Sequence, residues 1–310
     1  MIIITDNKEY SEQIFTSIPN WIRYKKSSYP QALIKITDKF FRSSNLFQTE
    51  IESDPIWKYA FVVNHAQSSQ FTSLIELSRD ECDLPGGILC FARSGDNFKG
   101  YRSRSWVSLS GNIHLSAYIK PNQVVDYFHI GFTILSAISV IQSIDKIPNM
   151  EKRSQIKWVN DILIDDGKVS GVLTQTQTKA NKVTDLFIGI GINVNVIPKL
   201  ESDFIVKKAT SINANLPDSQ KTTQGLIAKN LIHALSKNYS LLLKGQYNKI
   251  LDLYRERSKI IGKKIEVYSD PMQGKPEKNN EGKVVSIGKN LELYLEGKEE
   301  PVVKGRIILV

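Results

Sequence analysis

Two apolar runs, Lys157–Ile164 and Lys168–Thr174, flank the tripeptide Asp165-Asp166-Gly167, and Asp-Gly between hydrophobic segments is among the strongest short-range signals for a β-hairpin. That pairing commits this part of the chain to antiparallel sheet. A further run, Leu186–Asn193, extends the sheet, and its Gly189 and Gly191 leave room for something to approach the backbone closely. Upstream, Val124–Ile144 is mostly apolar and predicts a helix buried on most sides. Apolar Tyr59–Val63, a helix over Ser69–Ser78, and strands at Gly87–Ala92 and Asn112–Ile119 complete the pattern. Strands and helices mixed in this way indicate an α+β domain, an α/β mixed sheet with helices.

The tail changes character near Gly262. Short alternating runs at Lys264–Tyr268, Gly282–Ile287 and Leu291–Leu295, with a closing run Val302–Val310, predict a small β-barrel. Residues 1–50 hold a short apolar run, Ile2–Ile4, a capped helix with Tyr10, Ile14 and Phe15, and a second helix over Ala32–Phe41, with no legible motif. The expected division is an N-terminal extension (1–50), a main domain (51–257) and a C-terminal small β-barrel (258–310).

With 41% hydrophobic and 24% charged residues in 310, the chain is neither disordered nor collagen-like. Its longest apolar stretch, Ile130–Ile141, is interrupted by Gly131, Thr133, Ser136 and Ser139 and is shorter than the roughly 18 to 20 residues that span a bilayer. The first ten residues lack the organisation of a signal peptide. A cytoplasmic protein without a membrane partner is expected. Cys82 and Cys90 match no zinc or disulfide spacing and read as packing thiols. His65, His114, His129 and His233 are scattered, leaving little material for a His-based metal site or a Ser-His-Asp triad, so a metal would arrive with a nucleotide. A net charge of +9 favours nucleotides and acidic partners through steering. The basic residues form no stripe, and no nucleic-acid partner is expected.

Chemistry concentrates in Lys157-Trp158-Val159-Asn160-Asp161 and Lys168-Val169-Ser170-Gly171. A lysine beside a glycine at a sheet edge can hold a carboxylate and a phosphate oxygen on one point charge. In a regular hairpin Lys168 sits at the turn and Lys157 on the order of 25 Å away, so both cannot touch one reacting atom. Taken singly, each lysine reads as an exposed strand-edge residue, and Asn160-Asp161 as a turn or cap. The polar Gly/Ser/Arg stretch Arg93–Ser105, between strands, has the composition of a functional loop.

The stretch Lys157–Leu173 resembles the Lys-Trp-Pro-Asn-Asp … Lys-Leu-Ala-Gly-Ile-Leu segment of biotin protein ligases (holocarboxylase synthetases), with the spacing of the two lysines kept. Gly189–Asn195 matches that family's Gly-Ile-Gly-Ile-Asn-Val-Asn run, Ala209–Ile212 resembles its Ala-Thr-Ser-Leu, and Trp106 with Gly111–Ser116 resembles its Trp-x-Ser-Pro-x-Gly-Asn-Leu-Tyr-x-Ser. The resemblance covers about residues 55–310.

It implies a biotin/lipoate protein ligase-like catalytic domain over 51–257 and a two-step reaction: biotin and ATP give biotinyl-AMP and pyrophosphate, then a lysine of a biotin carboxyl carrier domain attacks the mixed anhydride. By the same resemblance, Lys168 contacts the biotin carboxylate and α-phosphate, Gly171 lets the backbone approach the ligand, Asn193 lies near the phosphates and Mg2+, Lys157, Asn160 and Asp161 shape the nucleotide site, and Trp106 packs by the adenine. The small barrel closes over ATP, and a homodimer is possible by analogy.

Departures are concentrated in the loop over the nucleotide, where the family has Gly-Arg-Gly-Arg-x-Gly-Arg-x-Trp. Aligned on Trp106, Lys99, Gly100 and Arg104 fit, Arg102 falls at the variable position, and Tyr101 replaces an arginine. Ser68-Ser69-Gln70 stands for the family's Ser-Thr-Asn at the biotin ureido ring, keeping a hydroxyl and an amide. The glutamine expected before the loop is Ala92 or Arg93. No winged helix is visible in residues 1–50, so a DNA-binding regulator is not expected. Two alternatives stay open: a lipoate or octanoate ligase, and a non-catalytic sensor of an acyl-adenylate or carrier domain.

Overall fold

The computed structural model describes residues 1–16, 18–80, 83–101, 104–199, 208–271 and 275–310. Among these residues the chain forms a ten-stranded sheet of β1 (Ile2–Thr5), β2 (Ile22–Arg23), β3 (Phe47–Glu50), β4 (Tyr59–Ala66), β5 (Ile88–Gly95), β6 (Ile113–Ile119), β7 (Ser154–Lys157), β8 (Asp161–Ile164), β9 (Gly167–Lys179) and β10 (Lys182–Ile192). The order across it is β2-β3-β1-β4-β5-β6-β10-β9-β8-β7. β4 runs parallel to β1 and to β5, and the other pairs are antiparallel.

Both faces of the sheet are covered, and the period of two sorts side chains between them. On β5, Leu89 and Phe91 enter one core while Ile88, Cys90 and Ala92 enter the other. The first core is closed by α4 (Phe128–Asp145), α5 (Gln224–Leu243) and α6 (Tyr247–Glu256), which contribute Phe132, Ile227 and Ile250. The second is closed by α2 (Gln31–Phe40) and α3 (Gln70–Arg79) through Leu33, Ile36, Leu74 and Ile75. α4 is the apolar helix expected from the sequence. Its full 18 residues are long and apolar enough to cross a membrane by length and composition, and it lies mostly buried in the core. Cys90 packs as expected, burial pushing its thiol well above the usual range. Cys82 lies outside the described residues.

Two expectations need correction, on residues 1–50 and on Lys157–Ile164. Residues 1–50 are part of the main sheet: β1 is inserted between β3 and β4, and Asn7 caps the short helix α1 (Lys8–Ile14) by accepting from the Tyr10 amide at 2.8 Å. Hydrophobic β1, with Ile3 and Ile4 fully buried on opposite faces, needs cover on both sides, which an appendage could not give.

The tail forms a four-stranded antiparallel sheet, β11 (Lys264–Tyr268), β12 (Lys278–Ile287), β13 (Leu293–Leu295) and β14 (Arg306–Leu309), in the order β13-β12-β11-β14. β13 is also bridged to the segment that leads into β14, Leu293 N donating to Val302 O at 2.8 Å and Val302 N to Leu293 O at 2.9 Å. This small sheet shares the first core through Ile265, Val284 and Leu293. The 257/258 boundary is itself bonded to β7: Ile156 N donates to Arg257 O at 2.7 Å, and Lys259 N to Ile156 O at 2.8 Å.

Lys157–Ile164 is not one strand. The chain turns at 158–160, so β7 pairs with β8 and Lys157 lies opposite Asp161. The 25 Å separation therefore does not apply. The turn is braced by neighbours invisible to a local pattern: Tyr254 Oη donates to Val159 O at 2.8 Å, and Trp158 Nε1 to Leu291 O at 2.8 Å.

Candidate active site

Glycine clears a floor on the α3 side of the sheet. Gly171 of β9 faces Gly191 of β10, with Gly189 two residues along. Phe71 from the first turn of α3 sits over Gly189, 3.2 Å from where a Cβ would lie. A Cβ on Gly191 would fall inside the indole of Trp106, and one on Gly171 would be 3.3 Å from the same ring. What approaches the bare backbone at these positions is thus an aromatic wall. Above the floor lies a cavity of about 320 Å³.

The roof is the segment between β5 and β6, the expected functional loop. It folds back on itself as Trp106 N donates to Phe98 O at 2.9 Å and Gly100 N to Arg104 O at 2.7 Å. Lys99, Gly100, Arg104 and Trp106 all line the cavity, and Arg102 lies outside the described residues. The small sheet contributes on this side. Arg306 of β14 lines the cavity, and Asp270, just past β11, accepts from Arg104 Nη2 at 3.0 Å. Tyr101, standing where an arginine was expected, lies 5.6 Å from the Arg104 guanidinium, as a cation–π partner.

At the cavity's base, Lys168 Nζ is 2.6 Å from Asp161 Oδ1, each side chain about one-fifth exposed at 21% and 20%. The same ammonium is 5.6 Å from the Trp106 ring centre. An aromatic face and one carboxylate hold the cation without surrounding it, leaving donors for an incoming anion. Lys168 is fixed by backbone on both sides: its N–H donates to Lys208 O, and its carbonyl accepts from Thr210 N, each at 2.9 Å.

Asn160 and Asn193 also line the cavity. Both brace the backbone: Asn160 Nδ2 donates to Val172 O at 2.6 Å, and the buried Asn193 Nδ2 to Thr210 O at 3.0 Å. Of Ser68-Ser69-Gln70, Ser69 reaches the cavity wall. Ser68 Oγ is 3.3 Å from Ser73 Oγ, and Gln70 is buried with no hydrogen-bond partner for Nε2 among the described residues. Lys157 is buried in β7, and the turn at 158–160 sets it opposite Asp161, next to the cavity's described lining.

Four contributors escaped the sequence reading. Asn112 is fully buried, and its Oδ1 accepts from the amides of Val194, Asn195 and Val196 at 3.0, 3.2 and 3.0 Å, folding the chain after β10 back to the site. The Gly111-Asn112 pair was a signal for it. His114 of β6 lies under the loop, its pKa lowered by burial to about 4. Asp270 and Arg306 are far away in sequence and carry no local signal.

The histidine expectation changes in one respect. His65 bridges Ser94 and Asp96, with Nδ1 3.0 Å from Ser94 Oγ and Nε2 2.9 Å from Asp96 Oδ2. The His65 and Asp96 side chains are 47% and 63% exposed, and the amides of Gly95 and Asp96 donate to Ser108 O and Ala66 O. The serine is therefore followed by no free oxyanion donor, and the trio serves to pin the start of the loop. Among the described residues no group of three or more His, Cys, Asp or Glu could hold a metal ion.

Residues 65–193, which contain the floor, the loop and Lys168, match the biotin/lipoate A/B protein ligase family. This segment of the chain is similar to that family. It is 31% identical over 158 residues to the bifunctional ligase/repressor BirA of Bacillus subtilis (strain 168), covering 51% of this chain and 47% of that protein. It is 28% identical over 115 residues to a biotin–acetyl-CoA-carboxylase ligase of Paracoccus denitrificans, covering 37% and 48%. The chain thus spans about half the length of the curated relatives it matches. Its fold is that of the biotin protein ligase from Aquifex aeolicus in complex with biotin and ATP, with a TM-score of 0.61 and 20% identity over 82% of this chain and 99% of that one. In this ligase fold the small C-terminal antiparallel sheet accompanies the mixed sheet as expected.

Proposed function

We propose that the chain is an ATP-dependent biotin protein ligase. The observation that carries the reading is Lys168, held by Asp161 and Trp106 at the base of a cavity whose other described charged residues, Lys99, Arg104, Lys199 and Arg306, are all cationic. Such a site suits a polyanion placed against a carboxylate. In the first step the biotin carboxylate attacks the α-phosphorus of ATP, a P–O bond forms, and pyrophosphate leaves with the bridging electron pair. Lys168 draws the two anions together and neutralises charge as it develops between them. Asp161 orients the ammonium, and the basic roof stabilises the departing pyrophosphate.

In the second step a lysine amine of a biotin carboxyl carrier domain attacks the mixed anhydride, forming an amide and releasing AMP. Asp161 is the one carboxylate in the cavity's described lining. That donor set fits an Mg2+ carried by the nucleotide, which needs one or two protein oxygens besides phosphate, and Asp161 with Asn193 Oδ1 would hold it. When bound it would neutralise phosphate charge.

The test is mass spectrometry of an apo carrier domain incubated with the protein, Mg-ATP, and biotin or lipoate in parallel. A biotin-sized mass gain that Lys168→Ala abolishes is expected. A gain with lipoate alone, or nucleotide binding without pyrophosphate release, would overturn the reading.

A further inference from the structure

We propose that His114 is a positioning residue that seats Trp106 against the glycine floor and so shapes the nucleotide end of the cavity; this deepens the ligase reading and rests on it. The argument begins with donors and acceptors. Trp106 Nε1 lies 3.4 Å from His114 Nδ1, and His114 Nε2 lies 3.1 Å from Leu109 O. An indole N–H can only donate and a carbonyl can only accept. Both contacts are satisfied by one species alone, the neutral imidazole with its proton on Nε2.

A third contact makes the arrangement specific to the loop. The Phe98 ring meets the His114 imidazole edge-on at 5.8 Å. One buried side chain on the rigid sheet therefore touches the roof at Phe98, Trp106 and Leu109. Trp106 is the member of that set that reaches the chemistry, with its ring over Gly171 and Gly191 and 5.6 Å from Lys168 Nζ. Since His114 itself is 3% exposed and already has both ring nitrogens engaged, it acts through Trp106.

The experiment compares wild type, His114→Phe, His114→Asn, Trp106→Phe and the double variant His114→Phe/Trp106→Phe in ATP-pyrophosphate exchange. Phenylalanine keeps the ring and removes both hydrogen bonds, whereas asparagine restores an acceptor near Nδ1. His114→Phe is expected to raise KM for ATP about five- to tenfold, the scale of one net hydrogen bond, with KM for biotin and kcat within about twofold. The double variant is expected to be no worse than Trp106→Phe, and His114→Asn to recover most of the loss.

An unchanged KM for ATP, equal rises in both KM values, or effects of the two single variants that multiply would overturn the proposal. Tryptophan fluorescence titrated with Mg-ATP in the absence of biotin separates this from the ligase reading. If wild type transfers no biotin, that reading fails, while a weaker ATP midpoint in His114→Phe still supports the His114–Trp106 coupling and an unchanged midpoint refutes it.

Discussion

The floor and the roof of the cavity are held by different means. The floor, β8 to β10, is fixed by ladder hydrogen bonds on both sides of every strand, and space dictates glycine where Trp106 and Phe71 press. The roof has a few backbone bonds of its own and depends further on side-chain contacts, namely Arg104 with Asp270, Trp106 and Phe98 with His114, and His65 with Ser94 and Asp96. Where an aromatic ring lies against the sheet few residue types fit, whereas a side-chain tether works with any complementary pair. This is why the floor keeps the family's motifs and the roof departs from them, with Tyr101 in an arginine's place.

The contrast can be broken most directly at the floor. Lys168→Ala should reduce adenylation about 100- to 1,000-fold, the scale of losing one preorganised charge at the reacting centre, while thermal unfolding shifts little because the side chain is partly exposed. Beneath the roof, burial holds the His114 pKa near 4 against 6.5 for the free residue. The folded chain then binds fewer protons than the unfolded chain between these values, so the stability is full above pH 6.5 and falls by about 3 kcal/mol toward pH 4. Denaturant midpoints measured across that window should slope less in His114→Phe than in wild type.

Gly191→Ala pushes the indole off its seat and should lower kcat/KM about tenfold, ~1.4 kcal/mol on the barrier. Gly171→Ala, whose Cβ meets the ring at 3.3 Å, should cost less in the same assay. Asp270→Asn loosens the roof from the small sheet and should raise KM for ATP about threefold, since an ion pair whose arginine is 39% exposed is worth ~1 kcal/mol or less. An effect at Asp270 as large as that at Lys168 would erase the distinction between floor and roof.

The sequence makes the floor legible because its determinants are local: the hairpin at Asp165–Gly167, the glycines of β10, and the Lys168–Gly171 spacing each act within a few residues. The roof's anchors are not. Asp270 is 166 residues from Arg104, and no nearby pattern announces the pairing. His114 reads as one more member of a strand until Trp106 and Leu109 close over it. The N-terminal strands were misjudged for the same reason. β2 is two residues long, and β1 joins the sheet through partners more than 40 residues away, at Phe47–Glu50 and Tyr59–Val62. The turn that sets Lys157 opposite Asp161 is equally illegible, because it is stabilised by Tyr254 and Leu291.

The apolar helix α4 carries a consequence for the birth of the molecule. Its cover comes from α5 and α6, and α5 begins about 80 residues after α4 ends, which at ~5–20 residues per second of synthesis is a delay of roughly 4–16 s. During that interval an 18-residue apolar segment lacks its helical cover. The order of synthesis thus leaves the most apolar helix of the chain waiting for helical neighbours that are made last.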